Sequence, residues 1–417
     1  MPAKILHFLN AGKTSAIEQA ALSGLSLLIN LVLVFGASKE IYGEFVVLNS
    51  YLLLFIGVQN ALFSVPMSVE FSAEIEDIRR SAMKSAAIAL LPLLALSACV
   101  SSFALYVIGQ KENYLVPIAF AIAMIGSALR EFSRTGRLVD QQLIKSLCNS
   151  LVYSILCVFL VGFGYLYRGS FVLSDIFFAL GAAGVIVSFS HLTQLASAEV
   201  HLPVVEIIKR LIRHTKWALP GVFIIWLQNN AYLTVVAQRF GASAAGELAA
   251  ARLFVMPYLT IFAGYMRPFS ANLSVTLAMG NKLPKILIIN LLKKQFLIGF
   301  FLGALLLTIG ATLQAFQAHS NLAPTLFTAA LWAIFAGISS ARGVLTSVAH
   351  GKKEFRLLFL LSVASTAFVT ILLLVAAITP LPVLAIVALT LGELLLLIML
   401  YKKYRSKLTG NLVEGAN

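Results

Sequence analysis

The sequence predicts an all-α, polytopic membrane protein whose 12 transmembrane helices form two pseudo-symmetric six-helix bundles. Three observations support this fold class: an apolar composition, a phrase that occurs twice, and a one-sided distribution of basic residues. Of the 417 residues, 60% are hydrophobic and 12% are charged. A chain with so few charges could not cover a soluble fold of this size with polar surface. We therefore expect a chain that lies almost entirely in a bilayer.

A repeated phrase indicates an internal duplication. Residues 35–45 read Phe-Gly-Ala-Ser-Lys-Glu-Ile-Tyr-Gly-Glu-Phe, and residues 240–247 read Phe-Gly-Ala-Ser-Ala-Ala-Gly-Glu. In each copy a proline follows at almost the same distance, Pro66 in the first and Pro268 in the second. Repeats of this kind are typical of secondary transporters. The prolines are expected to bend or end the helices that contain them.

Apolar stretches of about 20 residues are long enough to cross a bilayer. We place 12 spans in chain order at residues 15–37, 45–68, 85–109, 114–129, 146–167, 172–195, 217–238, 247–268, 287–313, 324–346, 357–378 and 382–401. These spans define four predicted regions: an N-terminal bundle (1–196), an amphipathic cytoplasmic connector (197–216), a C-terminal bundle (217–401) and a cytoplasmic tail (402–417).

The basic residues predict the orientation. With both termini in the cytoplasm, 26 of the 31 Lys and Arg residues fall in inner segments and four in outer loops. Short cytoplasmic loops carry such an excess, so the net charge of +14 is a topology signal. Nucleic-acid binding is a poor explanation because the charges are scattered over many segments. The same map puts the cavity between the two bundles.

The sequence contains no recognisable catalytic machinery. It has only three aspartates, Asp77, Asp140 and Asp175, and no two of them are close enough in sequence to suggest a metal site. We therefore expect neither an enzyme nor a cofactor.

Arg252 is the basic residue that this map leaves inside a span. A charge at that depth usually faces a partner or a cavity. The alternatives are a salt bridge with a neighbouring acid and a cavity lining that attracts anions. Arg130, Arg342 and Arg267 follow at the predicted inner ends of spans 4, 10 and 8. They are either phosphate-binding groups at the inner mouth or simple positive-inside anchors.

Two acids are candidates for ion coupling, because a carboxyl in an apolar setting can exchange a proton during transport. Glu18 lies in span 1 and Glu393 in span 12; snorkelling is the alternative for the first and a helix–helix hydrogen bond for the second. A set of amides suits a hydroxyl-rich ligand such as a sugar, or else joins helices. The set comprises Gln19, Asn30, Gln228, Asn229 and Asn230.

Taken together, the repeated Phe-Gly-Ala-Ser phrase, the prolines of spans 2 and 8, and 12 spans in 417 residues resemble the Wzx-type polysaccharide flippases. That family belongs to the MOP superfamily, which also holds the MATE multidrug extruders and the peptidoglycan-precursor flippase. The resemblance covers essentially the whole chain. Members often carry an acid in the middle of span 7, where this chain has Asn229 and Asn230.

The resemblance implies a MATE-like fold and a bacterial inner-membrane protein. Its substrate would be an undecaprenyl-pyrophosphate-linked oligosaccharide, moved by alternating access for O-antigen, capsule or exopolysaccharide synthesis. A polysaccharide polymerase and a chain-length regulator would be partners, besides membrane lipids. Two other classes stay open: a drug or metabolite antiporter of the same superfamily, and a polymerase or ligase. The short outer loops count against such an enzyme.

Overall fold

The computed structural model describes residues 2–71, 74–108, 114–197, 202–278, 285–315, 322–352 and 354–409. Every regular element within these ranges is a helix, and they contain no strand. They hold 11 spans that are long and apolar enough to cross a membrane, or 12 if one bent pair of helices is a single span. The predicted fold class, an all-α multi-pass membrane protein, is confirmed.

The chain divides into two compact units, Met1–Phe223 and Ile224–Asn417, here called the N-terminal unit and the C-terminal unit. The helices of the first are α1 (Pro2–Gly36), α2 (Lys39–Gln59), a π-helical segment (Asn60–Ser64), α3 (Val65–Glu70), α4 (Glu76–Ile108), α5 (Leu115–Val139), α6 (Leu143–Arg168) and α7 (Leu173–Ala196). The next helix, α8 (Val204–Phe240), includes residues 204–216 of the predicted connector and continues through the seventh span.

The remaining helices belong to the C-terminal unit. They are α9 (Ala242–Leu253), α10 (Met256–Ala278), α11 (Lys285–Ala315), α12 (Leu322–Gly351), α13 (Phe355–Ile378) and α14 (Leu384–Thr409). The core of this unit lies where α10, α11, α12 and α14 meet, around Ile288, Val344, Leu345 and Leu400.

Glycines in the repeated phrase serve a different purpose in each copy. Ser38 caps α2 by accepting a hydrogen bond from the Ile41 N–H at 3.2 Å, and a Cβ on Gly36 would meet the Phe171 ring at 2.5 Å. In the second copy Gly241 takes a φ of 89°, which residues with a Cβ rarely adopt. One sequence phrase therefore makes both corners between consecutive spans, through packing in one and backbone conformation in the other.

Small residues bring helices of each unit into close contact. A Cβ on Gly126 of α5 would overlap the backbone of Gly181 in α7. In the C-terminal unit, Gly299 of α11 and Gly337 of α12 approach each other in the same way. Close backbone approach at small residues is a main source of helix association in a membrane.

Span 8 consists of two helices and not of one continuous helix. It breaks after Leu253, and the directions of Ala242–Leu253 and Met256–Met266 differ by 56°. Pro257 lies in the first turn of the second piece, where its missing N–H costs no helical hydrogen bond. The bend expected in this span occurs beside Pro257, whereas α10 continues through Pro268 to Ala278, so the expectation that Pro268 could end the helix is wrong.

A second proline acts near the end of span 2. Because Pro66 has no N–H and its ring crowds the preceding turn, the helix loosens just before it. The Val65 N–H bonds to the Asn60 carbonyl, five residues back instead of four, and Asn60–Ser64 is π-helical. This widened turn re-aims the side chains of Asn60 and Ser64.

Candidate functional site

Span 4 extends well beyond the end that the sequence predicted, and this changes the setting of its arginines. The map ended the span at residue 129, but α5 continues to Val139. Arg130, Arg134 and Arg137 therefore lie on one face of a helix, one turn apart. The prediction that Arg130 marks the inner end of the helix is wrong, because the helix continues for about two and a half turns beyond it.

Arg130 is held by an aromatic ring more than by an acid. Its guanidinium carbon lies 4.3 Å from the centre of the Tyr153 ring, a cation–π distance. The nearest carboxylate contact is long, 4.0 Å from Nη2 to Oε2 of Glu131. Its Nε is buried and bonds to none of the described residues. Arg130 thus keeps hydrogen-bonding capacity that its neighbours do not use.

The two acids of this cluster are both engaged. Glu131 accepts two hydrogen bonds from Arg134, at 2.5 and 3.1 Å. Glu18 is 2% exposed and accepts from the hydroxyls of Ser146 and Ser150, at 2.9 and 2.8 Å. The alternative in which Glu18 snorkels to the interface is therefore wrong, since its carboxylate is fixed between α1 and α6.

Arg137 and His191 are functional candidates that the sequence reasoning missed. Arg137 is 3% exposed and donates to the Ser190 hydroxyl at 2.8 Å, while its Nε has no partner among the described residues. His191 of α7 packs against Gly136, and neither ring nitrogen bonds to the described part of the chain. The one-turn spacing of Arg130, Arg134 and Arg137 was the available signal, but the predicted span 4 ended at residue 129, before all three.

A polar groove of about 510 Å³ lies beside this cluster, between the π-helical segment and the end of α5. Its polar lining consists of Asn60, Ser64, Ser68, Glu131, Arg134, Thr135 and Gln141. The widened turn before Pro66 supplies the first two of these side chains. The groove therefore presents amides, hydroxyls and one ion pair on its walls.

In the C-terminal unit, Arg342 and Glu393 form an ion pair between α12 and α14. Glu393 is 1% exposed, and the Arg342 side chain is 24% exposed. The Arg342 Nη1 also lies 3.5 Å from the Thr346 hydroxyl. Arg342, a predicted phosphate-binding residue, and Glu393, a predicted ion-coupling residue, thus bind each other. Arg342 lies nine residues before the end of α12, so the prediction that it marks the helix end is wrong.

Arg252 has no acid as a partner within the described residues. It lies in the last turn of α9, just before the break, and not one and a half turns inside a continuous helix as the map had it. Its guanidinium carbon lies 5.1 Å from the centre of the Trp332 ring, and its Nε is buried without a hydrogen bond to that part of the chain. A cation there also compensates the negative end of the α9 dipole.

Trp332 is fixed in position to hold this arginine. Its side chain is fully buried, and Nε1 donates to the Leu248 carbonyl of α9 at 2.9 Å. The Tyr232 ring packs edge-on against it, with centroids 5.5 Å apart. Because contacts with α9 and α8 orient the indole, Arg252 is held against an aromatic ring and not by a counter-ion.

The predicted amides are mostly bonded within or between helices. Gln228 donates to Ser365 at 3.2 Å, Asn229 to the Ile225 carbonyl at 2.8 Å, and Gln19 to Ser23 at 3.4 Å. Asn30 donates to the Ser26 carbonyl at 2.7 Å. Asn30 also lines a cleft that contains Arg130 and Tyr153. Asn230 is half-buried, and the side chain of Arg267 lies outside the described residues.

No protein-family model matches this sequence, and a comparison with curated proteins finds no match. Solved structures do match. The lipid II flippase MurJ in an inward closed conformation aligns with a TM-score of 0.70 and 11% identity, over 93% of this chain and 87% of that one. The chain has the fold of MOP superfamily transporters.

Two further structures give the same result. An inward-facing multidrug resistance MATE transporter of the MOP superfamily aligns with a TM-score of 0.60 and 12% identity, over 94% of this chain and 100% of the other. A MOP superfamily transporter from Pyrococcus furiosus aligns with a TM-score of 0.59 and 11% identity, over 97% and 95%. At such identities the likeness establishes the fold. The chain is a multi-pass membrane protein whose structural neighbours are transporters and flippases.

Proposed function

We propose that this protein is a flippase that moves undecaprenyl-pyrophosphate-linked oligosaccharide units across a bacterial inner membrane by alternating access, for surface polysaccharide synthesis. The observation that supports this best is Arg252, a guanidinium within a span that lies over an aromatic ring and forms no ion pair with a described acid. A pyrophosphate head group needs such fixed cations, because moving an unpaired charge into a bilayer costs several kcal/mol.

Arg130 supports the same proposal in the N-terminal unit. It too lies over an aromatic ring, and its contact with Glu131 is at the outer limit of an ion pair. By contrast, the acids Glu18, Glu131 and Glu393 are each engaged by hydroxyls or by an arginine. Arg130 and Arg252 thus keep buried donors that none of the described residues uses, whereas each of these acids has at least one hydroxyl or guanidinium partner. This pattern suits an anionic substrate better than the cationic drugs that an acid-lined site would attract.

Arginine is also the right cation for this task. Its planar guanidinium can donate two parallel hydrogen bonds to phosphate oxygens, which a lysine ammonium cannot do. The partly buried position over an indole limits hydration and strengthens such bonds. In this proposal both termini are cytoplasmic, Glu18 and Glu393 are the residues through which an ion gradient would act, and a polymerase and a chain-length regulator receive the product.

The test is transport by the purified chain in proteoliposomes that contain an undecaprenyl-pyrophosphate-linked oligosaccharide. Appearance of the sugar in the opposite leaflet is measured with an enzyme that modifies only exposed sugar. Arg252→Ala should lower the initial rate at least tenfold, since a charged hydrogen bond contributes about 1.5 to 3 kcal/mol. Arg252→Lys should keep part of the activity, and the exposed Arg356→Ala is the matched control.

Two outcomes would refute the proposal. In the first, the wild-type chain transfers no sugar but exports a cationic dye in exchange for protons, which would support the antiporter instead. The other is full transfer by Arg252→Ala with unchanged protein levels, which would remove the observation on which the proposal depends.

A further inference from the structure

We propose that the N-terminal unit binds one halide-sized monovalent anion in the small cavity between α5, α6 and α7. The cavity is lined by Arg130, Ser133, Arg134, Arg137, Ser146, Asn149, Ser150, Val187 and Ser188. The site shares Arg130 with the transport proposal, but it concerns a resident ion and not the lipid-linked substrate, and its test measures ion binding and not transport.

The first argument comes from unused donors. The Nε of Arg130, the hydroxyl of Ser133 and the Nε of Arg137 are all buried, and none of them has a hydrogen-bond partner among the described residues. Ser133 and Arg137 are each 3% exposed. These three residues are spaced by three and four positions along α5, so they share one face of the helix. Buried donors are rarely left without partners, because each costs about 1 to 3 kcal/mol.

The second argument is the charge of the cluster. Three guanidinium groups, those of Arg130, Arg134 and Arg137, face two carboxylates, those of Glu18 and Glu131. Asp140 is already bonded to Arg79 at 2.7 Å, so that pair adds no net charge. One positive charge is left without compensation. A buried excess charge is stabilised by a counter-ion far more than by a neutral molecule.

The third argument is size. The cavity has a volume of about 10 Å³, room for about one sphere the size of a water molecule. Such a space admits a single monatomic particle after small shifts of the side chains, but it does not admit phosphate, sulfate or a carboxylate. Donors on the wall, an excess positive charge and a monatomic volume together point to chloride or another small halide.

The test compares salts at equal ionic strength on the purified full-length chain. Chloride should raise the melting temperature over gluconate, by roughly 2 to 4 °C for each tenfold increase above the dissociation constant. Radioactive chloride should bind at one ion per chain. Iodide and sulfate should give smaller shifts than chloride because they are too large.

Two substitutions of Ser133 provide matched controls. Ser133→Asp places a fixed carboxylate between Arg130 and Arg137, so it should melt as high in gluconate as the wild type does in chloride and should bind no radioactive chloride. Ser133→Asn has almost the same shape without the charge, so it should lose chloride binding and gain no stability. The proposal is refuted if chloride and gluconate give equal melting temperatures with no bound chloride, if sulfate or iodide stabilises as well as chloride, or if Ser133→Asp still binds one chloride ion.

Discussion

Removal of one partner of the ion pair between Arg342 and Glu393 should destabilise the C-terminal unit strongly. Arg342→Met leaves a carboxylate that is 1% exposed without its cation. Breaking a buried ion pair in this way costs about 3 to 5 kcal/mol. Glu393→Gln should cost less, because the Arg342 side chain is 24% exposed and can turn towards water. The asymmetry follows from the different depths of the two groups.

A double-mutant cycle tests this reasoning. The double variant Arg342→Met with Glu393→Leu removes both charges. Its stability should therefore return to within about 1 kcal/mol of the wild type. Thermal unfolding in detergent measures each variant, and Arg356→Met serves as the exposed control, with an effect within about 0.5 kcal/mol. The reasoning fails if Arg342→Met costs less than about 1 kcal/mol or if the losses in the double variant simply add.

Three further predictions concern packing, coupling and orientation. Gly126→Ala should abolish folding or cost several kcal/mol, because its Cβ would overlap the Gly181 backbone, whereas Gly24→Ala has free space and should stabilise the helix by about 0.5 to 1 kcal/mol in the same unfolding assay. Glu18→Gln should slow sugar transfer while leaving insertion intact; a normal rate in proteoliposomes with and without a proton gradient would remove its coupling role. Reporter fusions test the map, and a single reversed site would contradict it. Fusions after residues 169 and 320 should report the outside, and those after 203 and 410 the inside.

Much of the fold could be predicted because apolar length and basic residues are local properties of the sequence. The twelve predicted spans overlap the helices of the structure, and the error is mainly at the ends. Span 4 shows why. Arg130 looks like the end of an apolar stretch, but its helix continues to Val139. Tyr153 of α6 lies under Arg130, and Ser190 of α7 accepts a hydrogen bond from Arg137. Those partners come from other helices, which a linear reading cannot bring together.

The break in span 8 could be predicted only in part, for a related reason. Pro257 is visible in the sequence, but the sequence did not show that the helix would break beside it and leave Arg252 in the last turn of a short helix. Nor could it show that Trp332, eighty residues later, would lie under the guanidinium. The sequence also could not show that Arg342 pairs with Glu393, because the two residues lie 51 positions apart and on different helices.

The repeat also shows how the two units came to differ in charge. Arg130 lies nine residues before the end of α5, and Arg342 lies nine residues before the end of α12, so the duplication kept an arginine at one position. Its partner changed: the C-terminal unit neutralises the arginine with Glu393, while the N-terminal unit places it over Tyr153 and adds two more arginines one turn apart. If the two arginines served only as positive-inside anchors, we would expect a similar charge around both of them. We therefore expect Arg130→Ala to slow sugar transfer with and without a proton gradient. The double variant that lacks both Arg342 and Glu393 should lose only the part of the transfer that depends on the gradient. Equal losses of sugar transfer by the two variants without a gradient would contradict a special role for the N-terminal arginines.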